Sequence, residues 1–198
     1  MTEDRPGPHP SAEFALAVSA VRELSFRGDL VVREIGAPPG LAPEAFALAG
    51  DVRPPEAHED SPYGTGRIVL LHDPAQPEPW NGPWRIVSFA QAPLEPEIGT
   101  DPLLADVAWS WLIDALESRG ASYHSASGTA TKTISTGFGG LAAEGDGAQI
   151  ELRASWSPGP GPIDTHVEAW SELLCMLAGL PPGSEGITLL TPFRSPRD

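Results

Sequence analysis

The sequence predicts an α+β domain: an antiparallel sheet of about six strands with a long central helix and a helix near each end, in the order α-ββββ-α-ββ-α. Three observations carry this. Residues 101–120 repeat apolar side chains at helical spacing between a start signal and a stop signal. Strand-like runs bounded by Pro and Gly stand on both sides of that stretch. Residues 148–156 alternate apolar and polar, as a strand with one covered and one wet face does.

The central helix opens with Asp101 at the cap and Pro102 at the first helical position, where a missing N–H costs nothing and a carboxylate meets the positive helix end. It closes with Arg119 and Gly120, a residue that turns left-handed cheaply. Leu103, Leu104, Val107, Ala108, Trp111, Leu112 and Ala115 fill one half of its circumference. Trp109, Ile113 and Leu116 widen the apolar arc to about two-thirds of the circle, where a surface helix needs only about 100°. Asp106, Ser110, Asp114 and Glu117 form a narrow polar stripe. Such a helix calls for two partners, a sheet on one side and another helix or another subunit on the other.

Gly and Pro, 21 and 23 of the 198 residues, gather in clusters that divide the rest of the chain. Residues 1–10 read as a disordered tail, 11–192 as a single domain and 193–198 as a second tail. Ser11 caps a first helix in which Phe14, Ala17, Val18, Val21 and Leu24 recur up to Gly28. Leu30 to Ile35 is a strand. Residues 43–52 are read as a strand because Phe46, Leu48 and Val52 alternate, although the alanines would also suit a helix. The acidic, Pro-rich stretch 53–66 is a surface loop. Residues 66–74 form the continuous apolar run of a central strand, and residues 83–90 form its antiparallel neighbour. After the central helix come strands at 129–135 and 148–156. A last helix starts at the capping-box pattern Thr165-His166-Val167-Glu168 and stops at Gly179.

Charge narrows the function. The net charge is −15, the only lysine is Lys132, and the arginines are scattered, so nucleic acid and anionic membrane surfaces are poor partners. No signal peptide or membrane span is read, and a cytoplasmic location is expected. The lone Cys175 lies in an apolar helical stretch and reads as a buried hydrophobe. No cofactor or metal is expected, because His58-Glu59-Asp60 lacks the spacing of a metal site. Gly137-Phe138-Gly139-Gly140 is a turn and not a phosphate cradle.

The candidate chemistry is sparse. His72 ends a central strand, but Asp73 beside it points to the opposite face and cannot orient it. Glu95 and Glu97 project to one side if extended, as paired acids would, or else serve a solvated crossover into the helix. Trp80 and Trp84 flank a turn and could clamp a ligand or fold over their own hairpin.

Residues 66–74, Leu94-Glu95-Pro96-Glu97 through Asp101-Pro102-Leu103-Leu104, Trp109-Ser110-Trp111-Leu112, residues 149–156, Leu173-Leu174-Cys175 and Ala178-Gly179-Leu180-Pro181-Pro182 together resemble one family. It is the family of stand-alone proteins from high-GC Gram-positive bacteria called domain of unknown function number three thousand, and the likeness runs from about residue 11 to residue 192. The resemblance implies one cytoplasmic domain and brings no reaction, cofactor or catalytic residue. The element order is also loosely similar to that of secretion chaperones, whose middle helix backs a twisted sheet and helps form a dimer, though here four strands precede that helix instead of three.

Two functions from different classes follow. The first is a non-catalytic binding or adaptor protein, engaging a protein partner or a second copy through Trp109, Ile113 and Leu116. The second is a small-molecule site or enzyme with a pocket built from His72, Trp80, Trp84, Glu95 and Glu97, which requires those side chains to converge. In a third arrangement, silent on function, the central helix packs between the sheet and the last helix of its own chain.

Overall fold

A computed structural model describes residues 10–53 and 63–180. Residues 1–9, the part of the acidic loop that holds His58-Glu59-Asp60, and the tail expected at 193–198 lie outside them.

Among the described residues six strands form: β1 (Leu30–Ile35), β2 (Glu44–Val52), β3 (Gly64–His72), β4 (Trp84–Leu94), β5 (Tyr123–Thr136) and β6 (Asp146–Pro158). They form one sheet in the order β1-β2-β3-β4-β6-β5, antiparallel at every step. The helices are α1 (Ala12–Arg22), the short α2 (Pro96–Gly99), α3 (Leu104–Ser118) and α4 (Asp164–Leu177). The predicted class is the observed one: α+β, an open antiparallel sheet of six strands.

Register puts all four helices on one face. Gly50, Gly66, Ala90, Leu152 and Ala130 are opposite one another across five strands. The helices lean on that row and its neighbours: α4 through Trp170 and Leu174 on Gly50 and Gly66, and α3 through Trp109 on Gly128. The α1 residue Phe14 stacks near His72 and Trp84 on the same side, and α2 presses Gly99 against Ala148. The glycines permit this approach. A Cβ on Gly66 would stand 2.4 Å from a Leu174 methyl and 2.8 Å from the Phe89 carbonyl oxygen, and the latter is backbone and cannot step aside. Gly66→Ala is therefore expected to cost about 1–3 kcal/mol by overpacking, read as a lowered urea midpoint at unchanged slope.

Several boundaries differ from the sequence reading, each for a local reason. The central helix begins at Leu104, not at Asp101–Pro102. The Asp101 carboxylate accepts the Leu103 N–H at 2.8 Å, closing an Asx turn, and the helix starts two residues later than predicted. Its far end is as expected: Gly120 has φ +64°, and the Ala121 and Gly120 N–H groups bond the Leu116 and Glu117 carbonyls in a Schellman arrangement. Leu103 and Val107 are exposed, so the buried arc is centred on Leu104, Ala108, Leu112, Ala115 and Leu116.

The first helix ends at Arg22, short of Gly28, and Leu24 and Phe26 reach the core from the segment that follows. In α4 the capping box is absent. Asp164 is already helical, and the Thr165 hydroxyl donates back to the Pro162 carbonyl at 2.8 Å. β4 runs on through Pro93, which lies past the last β3 pairing (Thr65 with Gln91), so no bond to β3 is lost there. β5 starts six residues before the predicted strand. Its early Ser-Ala-Ser-Gly stretch has little strand character, but β6 runs beside it, and a bulge between His124 and Ser127 absorbs the mismatch.

Candidate functional site

The sheet register builds a polar cluster at the N-terminus of α1. Glu44, His72 and Trp84 are directly opposite one another on β2, β3 and β4, on the helix face. The N-terminus of α1 docks onto this row. His72 Nδ1 is 2.5 Å from Glu44 Oε2, and the Ser11 hydroxyl donates to the same oxygen at 2.7 Å. The Ser11 backbone N–H donates to the other Glu44 oxygen, while the Ser11 hydroxyl oxygen accepts the Phe14 N–H as the helix cap. Trp84 packs against the His72 ring, tilted by 43° with centroids 4.4 Å apart, and donates its indole N–H to Glu13 at 2.9 Å. Burial opposes ionisation of Glu44, but hydrogen bonds from His72 and Ser11 outweigh it and hold the carboxyl below its ordinary range.

This geometry fastens a helix. Ser11 is committed to the cap and the carboxylate, and His72 is buried with its Nε2 3.7 Å from a Glu13 oxygen. A nucleophile would need its hydroxyl on the far imidazole nitrogen, which Ser11 does not approach. Beside the cluster lies an open cavity of about 500 Å³ bordered by Glu13, Trp84, His124 and the Gly159-Pro160-Gly161 turn.

Of the pocket residues read from the sequence, the structure unites His72 and Trp84 only. Trp80 sits half-buried in a single 3-10 turn, Glu78–Trp80, and does not line that cavity. Glu95 and Glu97 are exposed at the start of α2, just past the far end of β4. Ten strand steps separate Trp84 from Leu94, about 33 Å, so neither glutamate can exchange a proton with His72. As expected, Asp73 does not orient His72; the partner is Glu44, 28 residues away in sequence. Only knowledge of the β2–β3 register could have found it.

The three residues assigned to an interface divide. Leu116 is fully buried inside its own chain. Trp109 lies half-buried over Gly128 of β5, and Ile113, one turn along the same side, is half-buried too. The helix has the company its apolar arc demands, for it packs on both α4 and β5.

On the side away from β5, α3 and α4 leave a groove of about 660 Å³. Trp111, Met176 and Leu180 line it, with Asp114, Ser118 and Glu172 around them. α3 carries Asp106, Asp114 and Glu117, α4 carries Asp164, Glu168 and Glu172, and neither helix contains a lysine or arginine. Arg119, just past α3, answers Glu172 at 2.8 Å and Glu168 at 3.7 Å. Sequence reasoning missed the groove because Trp111 and Met176 are both apolar residues of core-like spacing.

Among the described residues no group of three or more His, Cys, Asp and Glu side chains stands together as metal ligands would. Cys175 is buried, and burial pushes its thiol up to about 11, leaving it protonated at neutral pH. No helix among the described residues is long and apolar enough to cross a membrane.

Fold and sites together define an α+β protein whose open antiparallel sheet carries its helices on one face, with a groove bordered by Asp114 and Glu172 between two of them. The chain belongs to the family described as protein of unknown function (DUF3000), whose pattern matches residues 10–188. No curated protein and no solved structure matches it.

Proposed function

We propose that this is a non-catalytic binding protein of the cytoplasm, which receives a basic segment with apolar anchor side chains, contributed by a protein partner, in the groove between α3 and α4. The observation that carries this reading is the coincidence of an apolar floor with the carboxylates Asp114 and Glu172 at its border, on two helices that hold four more acids. Trp111, Met176 and Leu180 offer buried contact area, and six carboxylates on the two helices stand against the single Arg119. A cavity of this size holds a few anchor side chains. A cationic segment is steered toward the surrounding field, and an acidic one is repelled.

The test is a fluorescence titration of the full chain with a labelled helical peptide carrying Leu at i, i+3, i+4 and i+7 and Arg elsewhere. The control is the same peptide with Glu in place of Arg. The Arg peptide is expected to bind at micromolar concentration, and Asp114→Lys and Trp111→Ala are each expected to weaken it about tenfold or more. Binding of the Glu peptide, or binding of the Arg peptide that Trp111→Ala leaves unchanged, contradicts the reading. The second result would mean that net charge alone attracts the cation.

A further inference from the structure

The sheet has two edges, β1 and β5, and they are built differently. β1 is six residues long and places the charged pair Arg33-Glu34 in its middle. β5 is fourteen residues long, contains no proline, and carries one charge, Lys132. Natural edge strands are kept from pairing with other chains by shortness, charge, proline or bulges, and past its bulge between His124 and Ser127 β5 has little of this protection. It is also set in the longest acid-free part of the chain. No Asp or Glu falls between Glu117 and Glu144, in a sequence with 27 acidic residues and a net charge of −15. Where an acidic chain meets a second copy of itself, repulsion is least along such a stretch.

We propose that β5 is a self-association edge, on which two copies of the chain pair antiparallel so that their sheets become one. An antiparallel pair of identical strands is its own symmetry mate, so one two-fold axis satisfies both copies. Register follows from the faces. Ser127, Thr129, Thr131, Thr133 and Ser135 stand on the face opposite the helices, and Gly128, Ala130, Lys132 and Ile134 stand on the helix face. Residues directly opposite must share a face. Pairing centred on Lys132 would oppose two ammonium groups, whereas pairing centred on Thr131 does not.

In the Thr131 register Thr129 meets Thr133 and Ser127 meets Ser135, pairs that antiparallel sheets favour. On the other face Ile134 of each copy comes opposite Gly128 of the other, the position over which Trp109 lies. Ile134 is 50% exposed in the single chain, and the turn beyond it presents Phe138 and Leu141 at 80% and 57%. These apolar side chains then extend along the second copy's β5. The half-buried Trp109 and Ile113 gain the cover that the single chain leaves incomplete. This edge lies on the side of α3 away from the groove, so the proposal stands or falls independently of the groove's occupant.

The test is sedimentation equilibrium of the full chain, together with a cysteine cross-link. A dimer of twice the 20.9 kDa chain mass is expected. Thr131→Glu, which opposes two carboxylates at the axis, is expected to raise its dissociation constant about tenfold or more while circular dichroism is unchanged. Thr131→Cys places two thiols across the axis within disulfide reach and is expected to yield a covalent dimer on mild oxidation, with the buried Cys175 silent. A chain that stays monomeric at high micromolar concentration, or a dimer that survives Thr131→Glu and gives no Thr131→Cys cross-link, overturns the proposal.

Discussion

Trp156→Ala is expected to destabilise the protein by about 3–5 kcal/mol, a large part of the whole stability of a domain of this size. Trp156 is the largest kind of side chain the core can hold, is fully buried, and stands on the helix face of β6 opposite Ile86 of β4. Truncation opens a cavity where sheet and α4 meet, and neither can close over it without losing its other contacts. A second loss is polar. The Trp156 indole donates its N–H to His166 Nδ1 at 3.1 Å, and both residues are buried. Alanine leaves that imidazole nitrogen without its donor. Trp156→Phe keeps most of the volume and loses the bond, so it should cost clearly less. Chemical denaturation of the three proteins measures both parts, and a Trp156→Ala loss below about 1 kcal/mol would mean that the site collapses freely.

The same pair governs the second large effect, which is set by pH. Burial lowers the His166 pKa from 6.5 to about 4, with Asp164 opposing the shift only in part. Below pH 6.5 the unfolded chain takes up a proton that the folded chain refuses until about pH 4. Stability is therefore complete above about pH 6.5, declines as the pH falls, and levels off near 4 when the folded protein is protonated as well. The expected decline attributable to this residue is about 3 kcal/mol. Its window separates it from the carboxylates Glu34, Glu44 and Asp51, whose lowered values put their losses at more acid pH. His166→Asn retains an acceptor for the indole and does not titrate, so its stability curve between pH 6.5 and 4.5 should be nearly flat. A wild-type curve equally flat in that interval would show that His166 accepts its proton without penalty.

Much of the architecture was legible because it is written in patterns that need no knowledge of long-range pairing. Alternation at 148–156 announced β6 with its two faces, and Ile150, Leu152 and Ala154 do face the helices. The β-branched and apolar run before His72 announced a central strand, and β3 is central. Gly120 and Gly179 announced helix ends, and both adopt positive φ there. The errors arose where a tertiary partner overrides local preference. Asp101 and Pro102 form an acceptable helix start, yet the Asp101 side chain closes a turn first. Nothing in Ser127 or Gly128 favours a strand, yet both pair with β6.

The sites were harder to read for the same reason. His72 was recognised, but Glu44 and Ser11, which define its role, come from a strand and a cap distant in sequence. Glu95 and Glu97 looked like a pair of acids because they are close in sequence, and the length of β4 removes them from His72. The sequence predicts a helix over 101–119 that requires two neighbours, and the structure gives the shorter helix Leu104–Ser118 both, as α4 and β5. Its exposure pattern then marks the two surfaces that remain: Trp111 toward the groove and Trp109 toward the sheet edge.

The groove is the central claim, and amide and indole NMR of the isotope-labelled full chain tests it most directly. On titration with the Leu/Arg peptide, resonances of Trp111, including its indole N–H, and those of Asp114, Ser118, Met176 and Leu180 should move in proportion to occupancy. Trp84 and His124, at the opposite cavity, should stay still. Shifts concentrated at Trp84 and His124, or spread evenly over every acidic surface with Trp111 unmoved, would contradict the account.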